Sequence, residues 1–220
     1  MMQNFISTSI GKKVAMAISA IFLMVFLLQH FLINITSVFS EEIFNMLSHF
    51  MGTNPLVQFI LQPVLIAGVI FHFVMGFYLE IQNRRASKYE YFKERGGVNS
   101  TWMSRNMIWS GLVILSFLVL HFIDFWFPEM NYKYVEFKPE DPNRYYEELV
   151  HKFEDLRRVV FYCISFVLLS LHLLHGFSSS LKSMGVNKSY ATSVKNLSVI
   201  YSVGIPLGFC FIAIFHHLTH

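Results

Sequence analysis

The chain has 220 residues, of which 54% are hydrophobic, 17% aromatic and only 14% charged. A water-soluble domain usually has about 25% charged residues, so this composition excludes a freely soluble protein. The 24 Phe residues exclude a disordered chain, because so much apolar surface does not stay solvated. Two Cys residues are too few for a disulfide scaffold, and no C-x-x-C-H motif offers covalent haem attachment. The unusual feature is ten His residues in so apolar a chain.

Five apolar segments are long enough to cross a bilayer, which takes about 20 residues in a helix. They cover about residues 14–36, 57–82, 107–127, 159–181 and 197–217, with polar linkers between them. The first segment exceeds the apolar core of a signal peptide, so we expect it to be retained as a span. The sequence therefore predicts an all-α integral membrane bundle of five transmembrane helices, with residues 1–220 as a single membrane domain.

The linkers on the two sides of this predicted bundle differ in charge. The side of the N-terminus carries 11 of the 17 Lys and Arg residues but only three of the 14 acidic residues. By the positive-inside rule, the N-terminus is cytoplasmic and the C-terminus lies outside. The net charge of +3 reflects these inner linkers and predicts no nucleic-acid partner. In the outer linker, residues 145–152 predict a short amphipathic helix on the membrane surface.

Four spans carry a histidine, a residue that is costly inside a membrane and usually functional there. Counted from the nearest cytoplasmic Lys or Arg at about 1.5 Å per residue, His30 and His121 lie about 24–26 Å deep. His72 and His172 lie about 15–18 Å deep. A single histidine in a span is as often a hydrogen-bonded interior residue as a functional one. Two imidazoles at the same depth on different helices, however, suit a six-coordinate haem iron. The pattern predicts two stacked b haems within the first four helices, with His30 and His121 on the outer iron and His72 and His172 on the inner.

The fourth ligand has a competitor, because His175 lies on the same predicted span as His172. His72 and His172 are each followed four residues later by a glycine, Gly76 or Gly176, where a missing side chain lets a macrocycle edge approach. The same His-x-x-x-Gly spacing at both positions favours His172 as the ligand. We then expect His175 to be a neighbour of the haem or a partner of its propionates.

The remaining histidines carry weaker signals. His49, in a predicted outer loop, is either a hydrogen-bond partner of a quinone carbonyl or a plain loop residue. His151 is expected to be solvated. His216, His217 and His220 end the chain, where we expect a frayed terminus without a special role.

Several short segments, in their order and spacing, resemble one family over nearly the whole chain. The family is the di-haem cytochrome b membrane anchor of succinate dehydrogenases and fumarate reductases, the succinate:quinone oxidoreductases with a single five-helix anchor. The segments are Ser9-Ile10-Gly11-Lys12-Lys13, Gln29-His30, Ser48-His49-Phe50-Met51, His72-x-x-x-Gly76, Leu120-His121-Phe122-x-Asp124, His172-x-x-x-Gly176 and Ser183-Met184-Gly185-Val186.

The resemblance implies that this chain transfers electrons in the bacterial inner (cytoplasmic) membrane and does not itself convert succinate or fumarate. A flavoprotein subunit with covalently held FAD would do so on the cytoplasmic side. An iron–sulfur subunit would connect it to the inner haem. The outer haem would exchange electrons with a membrane quinone, with menaquinone expected for this class.

The resemblance also names candidate site residues beyond the four ligands. Those for the quinone are His49, Asn54, Asp124 and Trp126. Those for the inner haem propionates are Arg105 and Lys182. Some fumarate-reducing relatives carry a glutamate two residues before the fourth ligand; Ser170 stands there in this chain and favours succinate oxidation.

Three other classes compete with this interpretation. The di-haem subunits of nitrate reductases, formate dehydrogenases and hydrogenases place two ligands on one helix, unlike the distribution here. Membrane di-iron oxygenases use clustered histidine boxes, but the groups at residues 172–175 and 216–220 fall at opposite ends of the predicted bundle. A haem-free transporter with histidine proton relays is the last alternative, and it would show no haem absorbance.

Overall fold

The structure is a computed structural model that describes residues 8–86, 107–185 and 191–220. Every regular element within these ranges is helical, which confirms the predicted all-α class. The α-helices are α1 (Ser9–Ile35), α2 (Glu41–Thr53), α3 (Gln62–Ala86), α4 (Met107–His121), α5 (Phe127–Tyr134), α6 (Arg144–Phe153), α7 (Leu156–Ser183) and α8 (Ala191–Thr219).

Among the described residues, five helical segments are long and apolar enough to cross a membrane. Each of them contains one of the five predicted segments, and the multi-pass membrane class is therefore supported by length and composition. The segments are Ser9–Val38, Val57–Asn83, Met107–Tyr134, Leu156–Ser183 and Thr192–Thr219. The side of the membrane on which each end lies stays a prediction.

Two of the spans contain a π-helical turn, Val57–Leu61 or Phe122–Trp126. Each turn ends two residues before a proline, Pro63 or Pro128. A proline has no N–H for the carbonyl four residues earlier, and in both spans that carbonyl lies inside the π turn. The helix of the third span continues past the predicted end at residue 127 and reaches Tyr134. The π turn before Pro128 accommodates the missing N–H, so the proline does not end the helix. The point at which this helix leaves the membrane stays a prediction.

Three short helices, α2, α5 and α6, close one end of the bundle, which we call the cap end; the opposite end is the amino end. Helix α6 includes the predicted amphipathic segment at residues 145–152. Helix α2 was predicted as a loop, and this was wrong. Ser40 Oγ accepts a hydrogen bond from Ile43 N at 3.2 Å, and two glutamates in the first turn complement the helix dipole.

A buried asparagine holds the cap together. Asn45, which is 3% exposed, donates from Nδ2 to Asn143 O at 3.0 Å and accepts from Tyr146 N at 2.8 Å. These two bonds join α2 to the start of α6. The main buried apolar cluster lies below the cap, largely between α7 and α8, and includes Phe166 and Phe209. Through Phe44 of α2 and Leu149 and Phe153 of α6, this cluster extends into the cap.

Two glycines on α8 offer a matched test of the packing between α8 and α1. A Cβ on Gly208 would lie 2.3 Å from Phe31 Cε2, whereas one on Gly204 would meet nothing within 4 Å. We expect Gly208→Ala to lower the free energy of unfolding by about 1–3 kcal/mol through overpacking. We expect Gly204→Ala to leave it unchanged or to raise it by up to about 1 kcal/mol through helix propensity. Thermal unfolding in detergent, followed by circular dichroism, measures both; equal destabilisation would contradict this contact.

Candidate functional site

Four histidine rings from four helices meet as two pairs inside the bundle. The ring centroids of His30 (α1) and His121 (α4) lie 5.7 Å apart with planes at 86°. Those of His72 (α3) and His172 (α7) lie 6.5 Å apart with planes at 67°. An imidazole nitrogen ligates a first-row metal at about 2 Å, which places two rings on opposite sides of one iron with centroids roughly 6 Å apart. Both pairs match that separation, and their role as ligands stays a prediction.

The two pairs lie at different levels of the bundle. Ser19 Oγ on α1 lies 3.1 Å from His72 Nδ1, and Ser19 precedes His30 by 11 residues, or about 16 Å of helix. Ser110 Oγ on α4 likewise lies 3.1 Å from the His172 ring and precedes the histidine of its own helix by 11 residues. Two independent helices therefore give the same spacing between the levels.

Aromatic side chains enclose the His30/His121 pair. Phe26 stacks on His30 with centroids 5.5 Å apart, and Phe117 stacks on His121 at 5.8 Å. Phe209 of α8 also lies against His30, at 5.7 Å. Such surroundings exclude water and favour neutral imidazoles, the form that ligates a metal.

Gly76 and Gly176, the glycines one turn after His72 and His172, leave space beside this pair. A Cβ on Gly176 would meet no atom within 4 Å, and one on Gly76 would meet only Met16 Cε, at 3.5 Å. No protein atom therefore occupies the position of a side chain at Gly176. His175 is partly buried on α7, but the ring that contacts His72 is that of His172. This geometry favours His172 over His175 as the fourth ligand.

The structure says little about the two residues that were predicted to bind the haem propionates. Lys182 is exposed in the last turn of α7, at the amino end. Arg105 lies outside the described residues. The propionate assignments stay predictions.

Two of the four quinone candidates already have protein partners. Asp124 is 2% exposed; its Oδ1 accepts from Arg158 Nη2 at 2.8 Å and its Oδ2 from Tyr162 Oη at 2.8 Å. Asn54 Oδ1 accepts from Leu56 N at 3.0 Å and so caps the start of the second span. Neither contact was foreseen, and both give these side chains a structural role.

The other two quinone candidates each have a ring nitrogen without a partner. Within the described ranges, His49 Nδ1 and Trp126 Nε1 are buried and make no hydrogen bond. A buried polar atom without a partner is uncommon in proteins and points to a ligand or water. His49 and Trp126 are therefore the stronger candidates.

His49 lines a cavity of about 240 Å³ at the cap end. Its walls also include Thr53, Gln58, Tyr134 and Tyr145, whereas Asn54, Asp124 and Trp126 are not among them. Burial raises the pKa of Tyr145 to about 12, so its hydroxyl stays protonated and can donate a hydrogen bond. The cavity thus joins a histidine and a tyrosine, whose ring centroids lie 6.1 Å apart.

Two residues that line this cavity, Arg144 and Lys133, belong to a charged cluster. Arg144 pairs with Glu129 and Glu148, and its guanidinium carbon lies 4.4 Å from the centroid of the Tyr145 ring. Burial lowers the pKa of Arg144, but hydrogen bonds to the two glutamates raise it more, and the net shift is upward. Lys133 pairs with Glu129 and donates to Gly52 O. These contacts hold α5, α6 and the end of α2 together around the cavity.

The prediction of a frayed C-terminus was wrong. Helix α8 continues to Thr219, and His216 in its last turns is 0% exposed. His216 Nε2 lies 2.9 Å from Ser37 Oγ, and the His216 ring stacks on that of His220. The i, i+4 spacing of these two histidines was a usable signal that this terminus is helical and structured. His151 is exposed, as predicted.

Comparisons of the chain with protein-family models, with curated proteins and with solved structures found no match. Within the described ranges, no group of three or more His, Cys, Asp or Glu side chains is arranged to hold a metal ion. An iron in a porphyrin needs only two ligands from the protein, so the pairs are the relevant unit. The family resemblance stays a prediction that rests on the residues quoted above.

Proposed function

We propose that this chain is the membrane anchor and electron-transfer subunit of a succinate:quinone oxidoreductase in the bacterial inner membrane. The observation that carries the proposal is the meeting of four histidines, from four different helices, as two pairs at two levels. A histidine that served only as a hydrogen-bond partner would not need a second imidazole beside it, at the centroid separation of two rings that bind one iron. One ligand from each helix also argues against the classes that place two ligands on one helix.

The residues around the pairs suit two haems b. When bound between two imidazoles, haem b supplies a one-electron carrier whose iron has no open coordination position. His30 and His121 hold one group, and His72 and His172 hold the other. The aromatic rings around His30 and His121 keep water out of that level.

The cap-end cavity is the proposed site for the quinone headgroup. Its volume of about 240 Å³ lies just below the roughly 300–1,000 Å³ of pockets that enclose whole ligands. That size suits a ring headgroup whose isoprenoid tail stays in the lipid. His49 and Tyr145 can each donate to a quinone carbonyl, while Trp126 is a further donor at the same end of the bundle. Menaquinone is the proposed substrate.

The amino end is the proposed docking face for the partner subunits. Lys13 and Lys182 are exposed there, which fits the cytoplasmic side of the predicted topology. The iron–sulfur subunit would contact this face, and the flavoprotein subunit with its FAD would bind the iron–sulfur subunit. This arrangement puts the His72/His172 pair nearest the electron source.

A reduced-minus-oxidised spectrum with a haem-to-protein ratio tests the proposal. We expect two low-spin b haems per purified chain, both reducible by a water-soluble menaquinol analogue. Replacing the proposed donor by His49→Phe should slow reduction by the quinol and leave reduction by dithionite unchanged. A chain without haem would overturn the proposal in favour of a haem-free transporter, and one haem would remove one of the two pairs.

The identity of the parent complex needs its own measurement. In the complex purified from native membranes, succinate should reduce the haems, whereas formate and hydrogen should not. Reduction by formate or hydrogen would instead assign the chain to one of the other di-haem subunits.

A further inference from the structure

Two serines occupy equivalent positions beside the His72/His172 pair. Ser19 Oγ lies 3.1 Å from His72 Nδ1, and Ser110 Oγ lies 3.1 Å from His172 Nδ1. Each serine stands 11 residues before the predicted ligand of its own helix. Eleven residues make about three turns, so one face of each helix presents a ligand at one level and a hydroxyl at the other.

The direction of these hydrogen bonds follows from a second bond that each hydroxyl makes. Ser19 Oγ donates to Met16 O at 2.8 Å, and Ser110 Oγ donates to Met107 O at 3.0 Å. A serine hydroxyl has a single proton and accepts through its lone pairs. Because that proton is already used, the imidazole must be the donor, through Nδ1–H.

The protonation of Nδ1 determines which nitrogen is left to bind a metal. A neutral imidazole carries one N–H, so a proton on Nδ1 leaves the lone pair on Nε2. An acceptor on the far N–H also fixes the ring plane and raises the basicity of the ligating nitrogen. We infer that Ser19 and Ser110 are positioning residues that hold His72 and His172 in the tautomer that ligates through Nε2. The metal in this inference rests on the proposed function.

The His30/His121 pair has no such arrangement. His121 Nδ1 has no partner among the described residues, and His30 Nδ1 has Asn34 Nδ2 at 3.5 Å, a donor and not an acceptor. The serines therefore act on one pair only. Ser116, an exposed residue of α4, bonds just the Leu112 carbonyl of its own helix at 3.1 Å, which makes it a control.

The test compares Ser19→Ala and Ser110→Ala with Ser116→Ala in the purified full chain. In a spectroscopic redox titration, each of the first two variants should raise the midpoint potential of one b haem and leave that of the other unchanged. A less basic ligand stabilises the oxidised iron less. Affinity for that haem should fall about 10–100-fold. Ser110→Thr, which keeps a hydroxyl able to bond the preceding turn, should restore both quantities, and Ser116→Ala should change neither.

The outcomes separate this inference from the proposed function. Wild-type haem content and potentials in both alanine variants would overturn the inference and leave the proposed function standing. Equal shifts of both haems, or no rescue by Ser110→Thr, would assign the serines to general packing and also overturn it. If the wild-type chain bound no haem, the proposed function would fail. Side-chain ¹⁵N NMR would then decide the tautomer, with Nδ1–H expected in the wild type and no such preference in the alanine variants.

Discussion

His172→Ala is expected to remove one of the two b haems and leave the other, which halves the haem-to-protein ratio of the purified chain. The His172 ring is the one that contacts His72, with centroids 6.5 Å apart, and a bis-imidazole iron depends on both rings. The remaining haem should be retained because His30 and His121 stand on other helices, about three turns away along the bundle. Pyridine haemochrome analysis of the purified variant measures the ratio.

His175→Ala is the matched control for this experiment. It makes the same substitution on the same helix, three residues further on, and should retain both haems. Helical circular dichroism should be unchanged in both variants, which separates the loss of a ligand from misfolding. Loss of a haem in the His175 variant alone would reassign the fourth ligand.

Arg158→Met is expected to lower the free energy of unfolding by about 3–5 kcal/mol, because it leaves a buried carboxylate without its counter-charge. The side chain of Asp124 is 1% exposed, and Arg158 Nη2 donates to its Oδ1 at 2.8 Å. Tyr162 Oη donates to the other carboxylate oxygen, but a hydroxyl does not neutralise a charge. Denaturant or thermal unfolding in detergent, followed by circular dichroism, gives the difference.

Two further variants show whether charge or packing causes that loss. In Asp124→Asn with Arg158→Met neither charge remains, and most of the stability should return. Asp124→Asn alone should cost less than Arg158→Met, because the arginine side chain is 29% exposed and its head can reach water. A double variant as unstable as Arg158→Met would show that the lost contact is one of packing.

The parts of the fold that were predicted correctly depend on composition along the chain. Each span is a run of apolar residues of bilayer length, and such a run is visible without knowing any neighbour. Helix α6 was found for a similar reason, since its apolar residues recur at helical spacing. Helix α2 was missed although Ser40, whose Oγ accepts from Ile43 N, is a capping residue that sequence reasoning could have used. The continuation of the helix past Pro128 was not predicted, because it depends on the π turn at Phe122–Trp126, which rearranges the backbone hydrogen bonds before the proline.

The candidate site likewise has features that the sequence predicts and features that it does not. The rise per residue is the same in every α-helix, so counting residues converts sequence into depth, and depth was enough to pair His30 with His121 and His72 with His172. The ligand roles themselves stay predictions. Counting cannot give the rotation of a helix or its neighbours. The role of Asn54 as a cap was open to sequence reasoning in principle, since an asparagine two residues before a helical N–H is a known capping pattern.

By itself, the sequence determined five apolar helices and the levels of His30, His72, His121 and His172, because hydropathy and helical rise both vary along the helix axis. Only the tertiary structure decided which side chains of neighbouring helices contact one another. It placed Ser19 and Ser110 beside two imidazoles, gave Asp124 its arginine and tyrosine, and buried His216 at the end of α8. The physical reason is that lateral contacts depend on how helices from distant parts of the chain rotate and pack against one another.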